Sequence, residues 1–136
     1  MEIHAVIDKV AQTEARVLIT GESGTGKELV AHNIHEKSTR SKGTFIEVNC
    51  AAIPSELIES ELFGHKKGAF TDAKEDRMGK FEIANKGSLF LDEIGNLTMP
   101  LQSKLLAVLQ NRKVRAVGSN KEINLNIRLI SATNMP

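Results

Sequence analysis

The amino-acid sequence predicts a three-layer α/β fold with a mainly parallel sheet. Three observations carry this prediction: short strand-like runs alternate with helical patterns, the third run is almost wholly apolar, and there is no internal repeat. Strands separated by helices favour parallel pairing, because the helix returns the chain to the same end of the sheet. An almost wholly apolar strand is typical of a central strand covered on both faces. With 136 residues, 40% of them hydrophobic, the chain can bury one core.

Four strands are predicted from short apolar or β-branched runs. The first lies at 17–20 and the second at 45–48. The third, at 88–91, ends abruptly in the pair Asp92-Glu93, and the fourth, at 127–133, is followed by Asn134. The carboxyl ends of these strands therefore form a polar edge of the predicted sheet.

Helices are predicted where apolar residues recur on one face with the helical period. One such pattern, which begins at Ile3 and runs out near Thr13, precedes the first strand. The others run from 27 to about 38, from 55 to 63 after Pro54, and from Pro100 to 109. Each helix thus separates two predicted strands or precedes the first one.

Two stretches have neither period. Residues 64–79 form a segment that is long for a plain connector, and such segments are usually functional or mobile. Residues 112–121 form a second irregular stretch, which carries Arg112, Lys113 and Arg115. This basic stretch could contact a DNA backbone, but we expect a solvated loop.

Composition excludes several function classes. Eighteen basic and 17 acidic residues leave a net charge of +1, which argues against a protein that coats nucleic acid. An aromatic content of 4%, without Trp or Tyr, argues against base-stacking platforms. No apolar stretch approaches the roughly 20 residues needed to span a bilayer, and the first residues lack the features of a secretion signal. We expect a soluble cytoplasmic protein without a membrane partner.

Three side chains could have metal or redox chemistry. Cys50 is the single cysteine, so an internal disulfide is excluded, and we expect it to be a small core residue. His32 and His35 are three residues apart on the second predicted helix, where they could pair on a metal. We expect them instead to lie on an exposed helix face.

The residues from Gly21 to Lys27 fit the phosphate-binding pattern G-x-x-x-x-G-K between a predicted strand and a helix. Glycines let backbone N–H groups converge, the helix adds its positive dipole end, and Lys27 would reach the β- and γ-phosphates. Glu28 stands where the pattern usually has a Ser or Thr on magnesium. The ATP-binding residues expected here are Gly21, Glu22, Ser23, Gly24, Thr25, Gly26, Lys27 and Glu28, and the alternative is a glycine-rich turn without a ligand.

The carboxylates at the end of the third strand are expected to serve the metal and the water. Neighbouring strand residues point to opposite sides, so Asp92 and Glu93 should do different work. We expect Asp92 to hold Mg²⁺ through water, because magnesium keeps several waters and takes few carboxylates. Glu93 would orient and deprotonate the attacking water. A solvated acidic pair that caps a strand is the alternative.

Polar residues at the ends of two other strands belong to the same predicted edge. Asn49 ends the second strand, and Thr133 and Asn134 end the fourth. Open α/β sheets bind ligands at this edge, so these side chains could contact the γ-phosphate, the water or Glu93. Ordinary turn-forming residues are the alternative.

These motifs resemble the AAA+ ATPase domain of bacterial sigma-54-dependent transcription activators, also called enhancer-binding proteins. Residues 21–28 are similar to the family's Walker A motif with Glu28 included, and residues 88–93 to its Walker B motif. The resemblance implies that Asn49 contacts the Walker B glutamate and that Asn134 is the sensor I residue. It therefore implies an ATPase with Glu93, Asn49 and Asn134 as catalytic residues, Asp92 and Thr133 at the nucleotide, and ATP with Mg²⁺ as the ligands.

The long loop resembles the family's GAFTGA signature, which in the family touches sigma-54. The residues that the resemblance assigns to this contact are Gly68, Ala69, Phe70, Thr71, Asp72 and Ala73. Phe70 and Thr71 would lie at an exposed tip, where an aromatic ring and a hydroxyl can bind a partner, although Phe70 could instead fold onto the domain. Asp72 replaces the second glycine of the signature, which restricts the backbone and adds a negative charge.

The resemblance covers nearly the whole chain and stops two residues after sensor I. We expect residues 1–136 to be part of a longer response-regulator-type activator, without its fifth strand, arginine fingers, helical lid, receiver or helix-turn-helix region. The parent protein would form a ring, bind DNA through a C-terminal domain and remodel sigma-54 RNA polymerase. The fragment is expected to bind nucleotide with little turnover, and to associate through the edge of its first strand.

Two other function classes fit the same residues. One is a protein-interaction module that holds nucleotide without hydrolysis, which Asp72 and the expected truncation after sensor I favour. The other is a different AAA+ machine such as a helicase or unfoldase, which only the generic motifs favour.

Overall fold

The computed structural model describes residues 16–21 and 26–134. The first predicted helix and the cradle residues 22–25 lie outside the described residues. The described strands are β1 (Val17–Thr20), β2 (Phe45–Asn49), β3 (Gly64–His65), β4 (Arg77–Met78), β5 (Ser88–Asp92), β6 (Lys113–Val114), β7 (Ile123–Asn124) and β8 (Arg128–Thr133). The described helices are α1 (Lys27–Glu36), α2 (Ser55–Phe63), α3 (Lys80–Ile83) and α4 (Met99–Asn111), with a 3-10 turn at Ile94–Asn96.

The central sheet has four parallel strands in the order β1-β8-β5-β2. The two inner strands, β5 and β8, are buried at every position, as expected for parallel strands covered on both faces. Asn49 pairs with Asp92 across β2 and β5, and Thr20 pairs with Thr133 across β1 and β8. The strand ends predicted to be polar therefore meet at one edge of the sheet.

Helices cover both faces of this sheet. On one face α1 packs Ala31 and Ile34 against Phe90 and Ile130. The other face carries α2, α3 and α4, whose apolar side chains join a cluster that includes Leu89 of β5. Because Leu89 and Phe90 alternate between the two clusters, β5 is the shared centre of the core. The predicted three-layer α/β fold is confirmed.

The ends of the long helices have recognisable local causes. Gly26, with φ 86°, occupies the left-handed region immediately before α1, which glycine adopts without strain. The Thr98 side chain caps α4 by accepting a hydrogen bond from the Leu101 N–H, and Pro100 lies in its first turn. At the other end of α4, Arg112 has a left-handed φ of 56°.

Two short hairpins that the sequence did not predict begin in the irregular stretches. β3 pairs with β4, and β6 pairs with β7. Each of these strands has two residues, which is too short for a period of two to be visible. The same holds for α3, which spans Lys80–Ile83, about one helical turn. An isolated parallel bridge between His65 and Val117 joins the two stretches.

A buried polar group joins α1 to the amino-terminal end of β5. His35 is buried, with Nδ1 2.9 Å from the Ser88 hydroxyl and Nε2 3.1 Å from the Gly43 carbonyl oxygen. The expectation of an exposed position was wrong for His35, because two internal partners satisfy its ring, and right for His32, which is exposed. Cys50 is buried, as expected of a small core residue. Within the described ranges, no cluster of three or more His, Cys, Asp or Glu side chains could hold a metal.

Candidate functional site

A cavity of about 430 Å³ opens at the carboxyl edge of the sheet, beside the start of α1. Its lining combines one cation, three carboxylates and three amides with backbone from the start of α1. The residues are Gly26, Lys27, Glu28, Asn49, Ala51, Asp92, Glu93, Asn96 and Asn134. The structure thus brings together most of the predicted nucleotide-site residues that it describes, whereas the predicted sigma-54-contact residues 68–73 do not line this cavity.

Lys27 is the first residue of α1 and is buried at the cavity. Its Nζ donates a hydrogen bond to the Gly21 carbonyl oxygen at 2.7 Å and lies 3.6 Å from Glu93 Oε1. A buried ammonium requires such partners, because burial removes its water. The lysine predicted to meet phosphate is therefore neutralised by the acidic residue predicted to activate water.

Asp92 is the last residue of β5 and is buried. Its Oδ1 accepts a hydrogen bond from the Glu93 N–H at 2.9 Å, which fixes the carboxylate at the cavity. The described donors are carboxylate and amide oxygens, which are ligands that Mg²⁺ prefers, and Mg²⁺ usually takes only one or two protein carboxylates. These residues therefore fit a magnesium ion that is bound together with phosphate.

The carboxylates make one side of the cavity strongly acidic. The pKa of Glu47, on β2, is raised first by burial and then by the negative charge of Glu28. Burial, followed by the charges of Asp92 and Glu93, raises the pKa of the Cys50 thiol to about 11. Such a field favours a bound cation and keeps Cys50 an unreactive thiol.

Glu93 departs from the geometry expected of a strand residue. It follows the last residue of β5 with φ 56° and ψ 47°, in the left-handed region. The alternation of strand side chains therefore does not reach Glu93, and the carboxylates of Asp92 and Glu93 line the same cavity. Non-glycine residues in this region cost of order 1–3 kcal/mol and concentrate at functional sites.

The three polar strand-end residues lie close to this cavity. Asn49 lines it, and its Oδ1 accepts a hydrogen bond from the Ala51 N–H at 3.0 Å. Thr133 is buried as the last residue of β8, and the exposed Asn134 lines the cavity. A contact between Asn49 and Glu93, which the resemblance implied, stays a prediction.

Asn96 is a cavity residue that the sequence did not point to. It ends the 3-10 turn, and its Nδ2 donates to the Glu93 carbonyl oxygen at 3.3 Å, beside a backbone bond of 3.0 Å to the same oxygen. From the sequence alone, an Asn shortly after Asp92-Glu93 predicts only an ordinary turn-forming residue. Only the tight turn, which folds Asn96 back toward Glu93, gives it a place at the site.

The loop with the GAFTGA-like sequence lies apart from the cavity. Phe70, Thr71 and Asp72 are exposed, whereas Ala73 is buried. In the described part of the chain the non-glycine residues with positive φ are Lys86, Glu93 and Arg112. Asp72 is therefore not strained by taking the place of a glycine.

A second cavity, of about 520 Å³, lies near the end of α4. Apolar side chains such as Leu109 and Leu125 line it, together with Arg16 and Arg112. It brings together none of the predicted site residues, so its larger volume does not make it the better candidate.

Comparison with known proteins decides the family. The family model described as "Sigma-54 interaction domain" matches residues 1–136. The chain belongs to this family. The regulatory protein AtoC of Escherichia coli K12 is 56% identical over 134 residues, which are 98% of this chain and 29% of AtoC. A Nif-specific regulatory protein of Bradyrhizobium diazoefficiens is 55% identical over 135 residues, 97% of this chain and 23% of that protein. The chain thus spans less than a third of these curated relatives.

Solved structures with the same fold agree with the fold described above. NtrX of Brucella abortus in complex with ATP superposes with a TM-score of 0.90 at 38% identity, over 99% of this chain and 28% of that one. A P-loop NTPase domain from E. coli, at 17% identity and a TM-score of 0.63, supports the fold alone. The predicted family and the P-loop AAA+ fold class are confirmed. No helix in the described part of the chain has the length and apolar character to cross a membrane.

Proposed function

We propose that this chain is the ATP-binding and ATP-hydrolysing core of a sigma-54-dependent transcription activator. The observation that carries the proposal is the convergence of Lys27, Asp92 and Glu93 on one cavity between the start of α1 and the end of β5. Membership of the sigma-54 interaction domain family, and the ATP complex of the similar NtrX, support the choice of ligand.

The binding step uses the start of α1. The Lys27 ammonium would leave Glu93 and neutralise the β- and γ-phosphates, while the backbone N–H groups at the start of α1 and the helix dipole would contribute partial positive charge. Glu28 lines the same cavity, and its charge would favour nucleotide that arrives with a cation. Lys27 is therefore expected to decide phosphate affinity.

The chemical step uses the strand ends. Asp92 would hold Mg²⁺ through water, and the ion would offset the negative charge of the phosphate oxygens. Glu93, released from Lys27, would orient and deprotonate the attacking water. Asn49, Thr133 and Asn134 would hold the γ-phosphate or the water, since their amides and hydroxyl lie at the same sheet edge.

Turnover by the chain alone is expected to be low. Among the described cavity residues Lys27 is the one cation, whereas an arginine finger contributes about 10³ to 10⁵ in rate in related phosphoryl transfers. We propose that the complete protein forms a ring in which a neighbouring subunit supplies that cation. The loop around Phe70 and Thr71 would then remodel sigma-54 RNA polymerase in the bacterial cytoplasm. Another domain would bind DNA.

The test measures nucleotide binding by calorimetry. The chain should bind ATP and ADP with magnesium, and Lys27→Ala should reduce the affinity at least about 100-fold, because a charge-assisted phosphate contact is lost. Lys42→Ala is the matched control, since Lys42 is an exposed lysine that precedes β2. Equal affinity in Lys27→Ala and the unsubstituted chain would remove the proposed site. Steady hydrolysis by the chain, abolished in Lys27→Ala, would contradict the expected low turnover.

A further inference from the structure

The tip of the GAFTGA-like loop has a defined, folded-back conformation. The Gly68 N–H donates to the Ala73 carbonyl oxygen at 2.9 Å, and the Ala73 N–H donates to the Phe70 carbonyl oxygen at 3.0 Å. The Ala69 N–H donates to the Lys66 carbonyl oxygen at 3.0 Å, so consecutive turns close the tip. Ala73 is buried. The position of Phe70 is therefore set by the loop's own hydrogen bonds and packing.

Phe70 has an aromatic partner within the loop. Its ring meets the His65 ring at a centroid distance of 5.0 Å and an interplanar angle of 69°, an edge-to-face contact. The side chain is still 39% exposed, so the contact leaves part of the ring open to solvent. A partner that needs the whole ring would have to separate it from His65.

The His65 ring is held in place by a hydrogen bond to α2. Its Nδ1 is hydrogen-bonded to the hydroxyl of Ser60, a buried residue of α2. Its backbone is fixed as well, because the Lys66 N–H donates to the Val117 carbonyl oxygen and the Val117 N–H donates to the Gly64 carbonyl oxygen, both at 2.9 Å. His65 is thus a rigid surface for Phe70 rather than a second mobile side chain.

We propose that His65, held by Ser60, positions Phe70 by keeping the Phe70 ring folded against the base of the loop. The contact between the two rings competes with any external partner for Phe70. The identity of the partner rests on the proposed function, whereas the contact between His65 and Phe70 does not. An edge-to-face pair of this kind shifts an equilibrium by about two- to tenfold. His65 therefore sets how often the ring is free to bind sigma-54.

The chain offers a clean optical probe of this contact, because it contains no Trp or Tyr. Phe70→Trp places a single tryptophan beside His65, where the histidine ring shields one edge of the indole. Adding His65→Ala should raise acrylamide quenching of the tryptophan by about twofold and shift its emission to the red. Ser60→Ala should give a smaller change in the same direction. His32→Ala is the control, because His32 contacts Phe45 and not Phe70.

A second measurement avoids dependence on the tryptophan. In the unsubstituted chain the Phe70 ring current should displace the NMR shifts of the His65 ring protons, and Phe70→Leu should return them to ordinary values. Unchanged His65 shifts in Phe70→Leu, or equal quenching with and without His65, would overturn the proposal.

The functional consequence is measured by binding of purified sigma-54 in the absence of nucleotide. His65→Ala should increase affinity by about two- to tenfold, since the competing internal contact is gone. A loss of affinity with an exposed ring would contradict the restraining role. Absence of binding by every variant, with the optical result intact, would instead count against the proposed partner.

Discussion

Lys27 and Glu93 neutralise each other across the cavity, at a distance of 3.6 Å with little exposure of either side chain. Both groups are assigned to the reaction, yet neither can do its proposed work while the pair persists. In the proposed mechanism, phosphate would replace Glu93 as the partner of Lys27. Nucleotide binding and release of the proposed base would then be one exchange of ion pairs.

The pair predicts how nucleotide affinity responds to substitution of Glu93. In the absence of magnesium, Glu93→Gln should bind ADP about three- to tenfold more tightly, because Lys27 no longer has to leave a partly buried partner. Glu93→Asp should show most of this gain although the charge remains, since its shorter side chain cannot reach Nζ. Calorimetric titration of ADP in EDTA measures both.

Glu28→Gln is the matched control for that experiment. It removes the same charge from the lining of the same cavity, and the described ion pair of Lys27 is with Glu93. If Glu28→Gln and Glu93→Gln increase the affinity for ADP equally, while Glu93→Asp does not change it, the overall negative charge of the cavity controls affinity and the Lys27–Glu93 pair does not.

Single residues differ in how far the sequence could predict them. Lys27 and Asp92 follow from motif and strand end, because backbone geometry alone brings them to the sheet edge. The left-handed conformation of Glu93 and the return of Asn96 to its carbonyl could not be predicted, since both depend on how the turn after β5 packs. Asp72 was expected to restrict the loop, but its backbone does not need glycine's freedom here.

At the scale of elements, α1 carries Lys27 at its start and His35 near its end. His35 holds this end on β5, whose far end carries Asp92. Burial lowers the pKa of His35 below its ordinary 6.5, so the folded chain favours the neutral ring. The helix is thus tied to the strand that supplies the carboxylates.

This shift predicts the pH dependence of stability. The unfolded chain takes up a proton near pH 6.5 whereas the folded chain resists it, so stability is fully present above pH 6.5 and falls as the pH drops toward the folded pKa. Urea unfolding between pH 7.5 and 5.5 should show this loss, and His35→Gln should flatten it. His32→Gln, at an exposed histidine of the same helix, should keep most of the slope, because burial is a larger cause of the His35 pKa shift than the charge of His32. An unchanged slope in His35→Gln would contradict the assignment.

The end of α4 provides a prediction on backbone strain. Arg112 caps this helix with a φ of 56°, a conformation that glycine adopts freely. Arg112→Gly should raise the free energy of unfolding by about 1 kcal/mol. Lys113→Gly, one residue later in β6, should lower it by about 0.5–1 kcal/mol, since that residue has no positive φ to relieve. Equal effects in chemical denaturation would show that the conformation of Arg112 carries no strain.

Elements were predictable in proportion to their length. The four sheet strands and the three longer described helices follow from period and punctuation, with differences of one or two residues at their ends. β3, β4, β6, β7 and α3 have two to four residues, so their existence depends on tertiary pairing rather than on a local pattern. The bridge from His65 to Val117 joins segments that sequence reasoning treated as separate loops.

For the whole molecule, β1 is an outer strand of the described sheet and exposes 60% of Leu18. Exposed apolar edge strands recruit other chains. We predict self-association at high concentration, and Leu18→Lys should shift sedimentation velocity profiles toward the monomer. Leu29→Lys makes the same change at a leucine of α1 that is 69% exposed, and should leave association unchanged. A strictly monomeric unsubstituted chain would refute the prediction.

The fold as a whole was predictable because its sequence signals agree. The apolar run of β5, the glycine-rich sequence before α1 and the polar residues at the strand ends all predict a parallel sheet with a ligand at its carboxyl edge. The side-chain contacts within the cavity were less predictable. The Lys27–Glu93 ion pair forms only when the start of α1 and the end of β5 have come together. The domain organisation stays a prediction.

The bridge between His65 and Val117 also has a consequence for hydrogen exchange. Two backbone hydrogen bonds join the hairpins, and a Cβ at Gly118 would lie 2.7 Å from that of Ala69. The amides of Lys66 and Val117 can therefore exchange with solvent only when both hairpins separate, and their protection factors should rise and fall together. If nucleotide moves the two hairpins together as one body, the amides of Lys66 and Val117 should both stay protected. If nucleotide separates the hairpins, both amides should lose their protection at once.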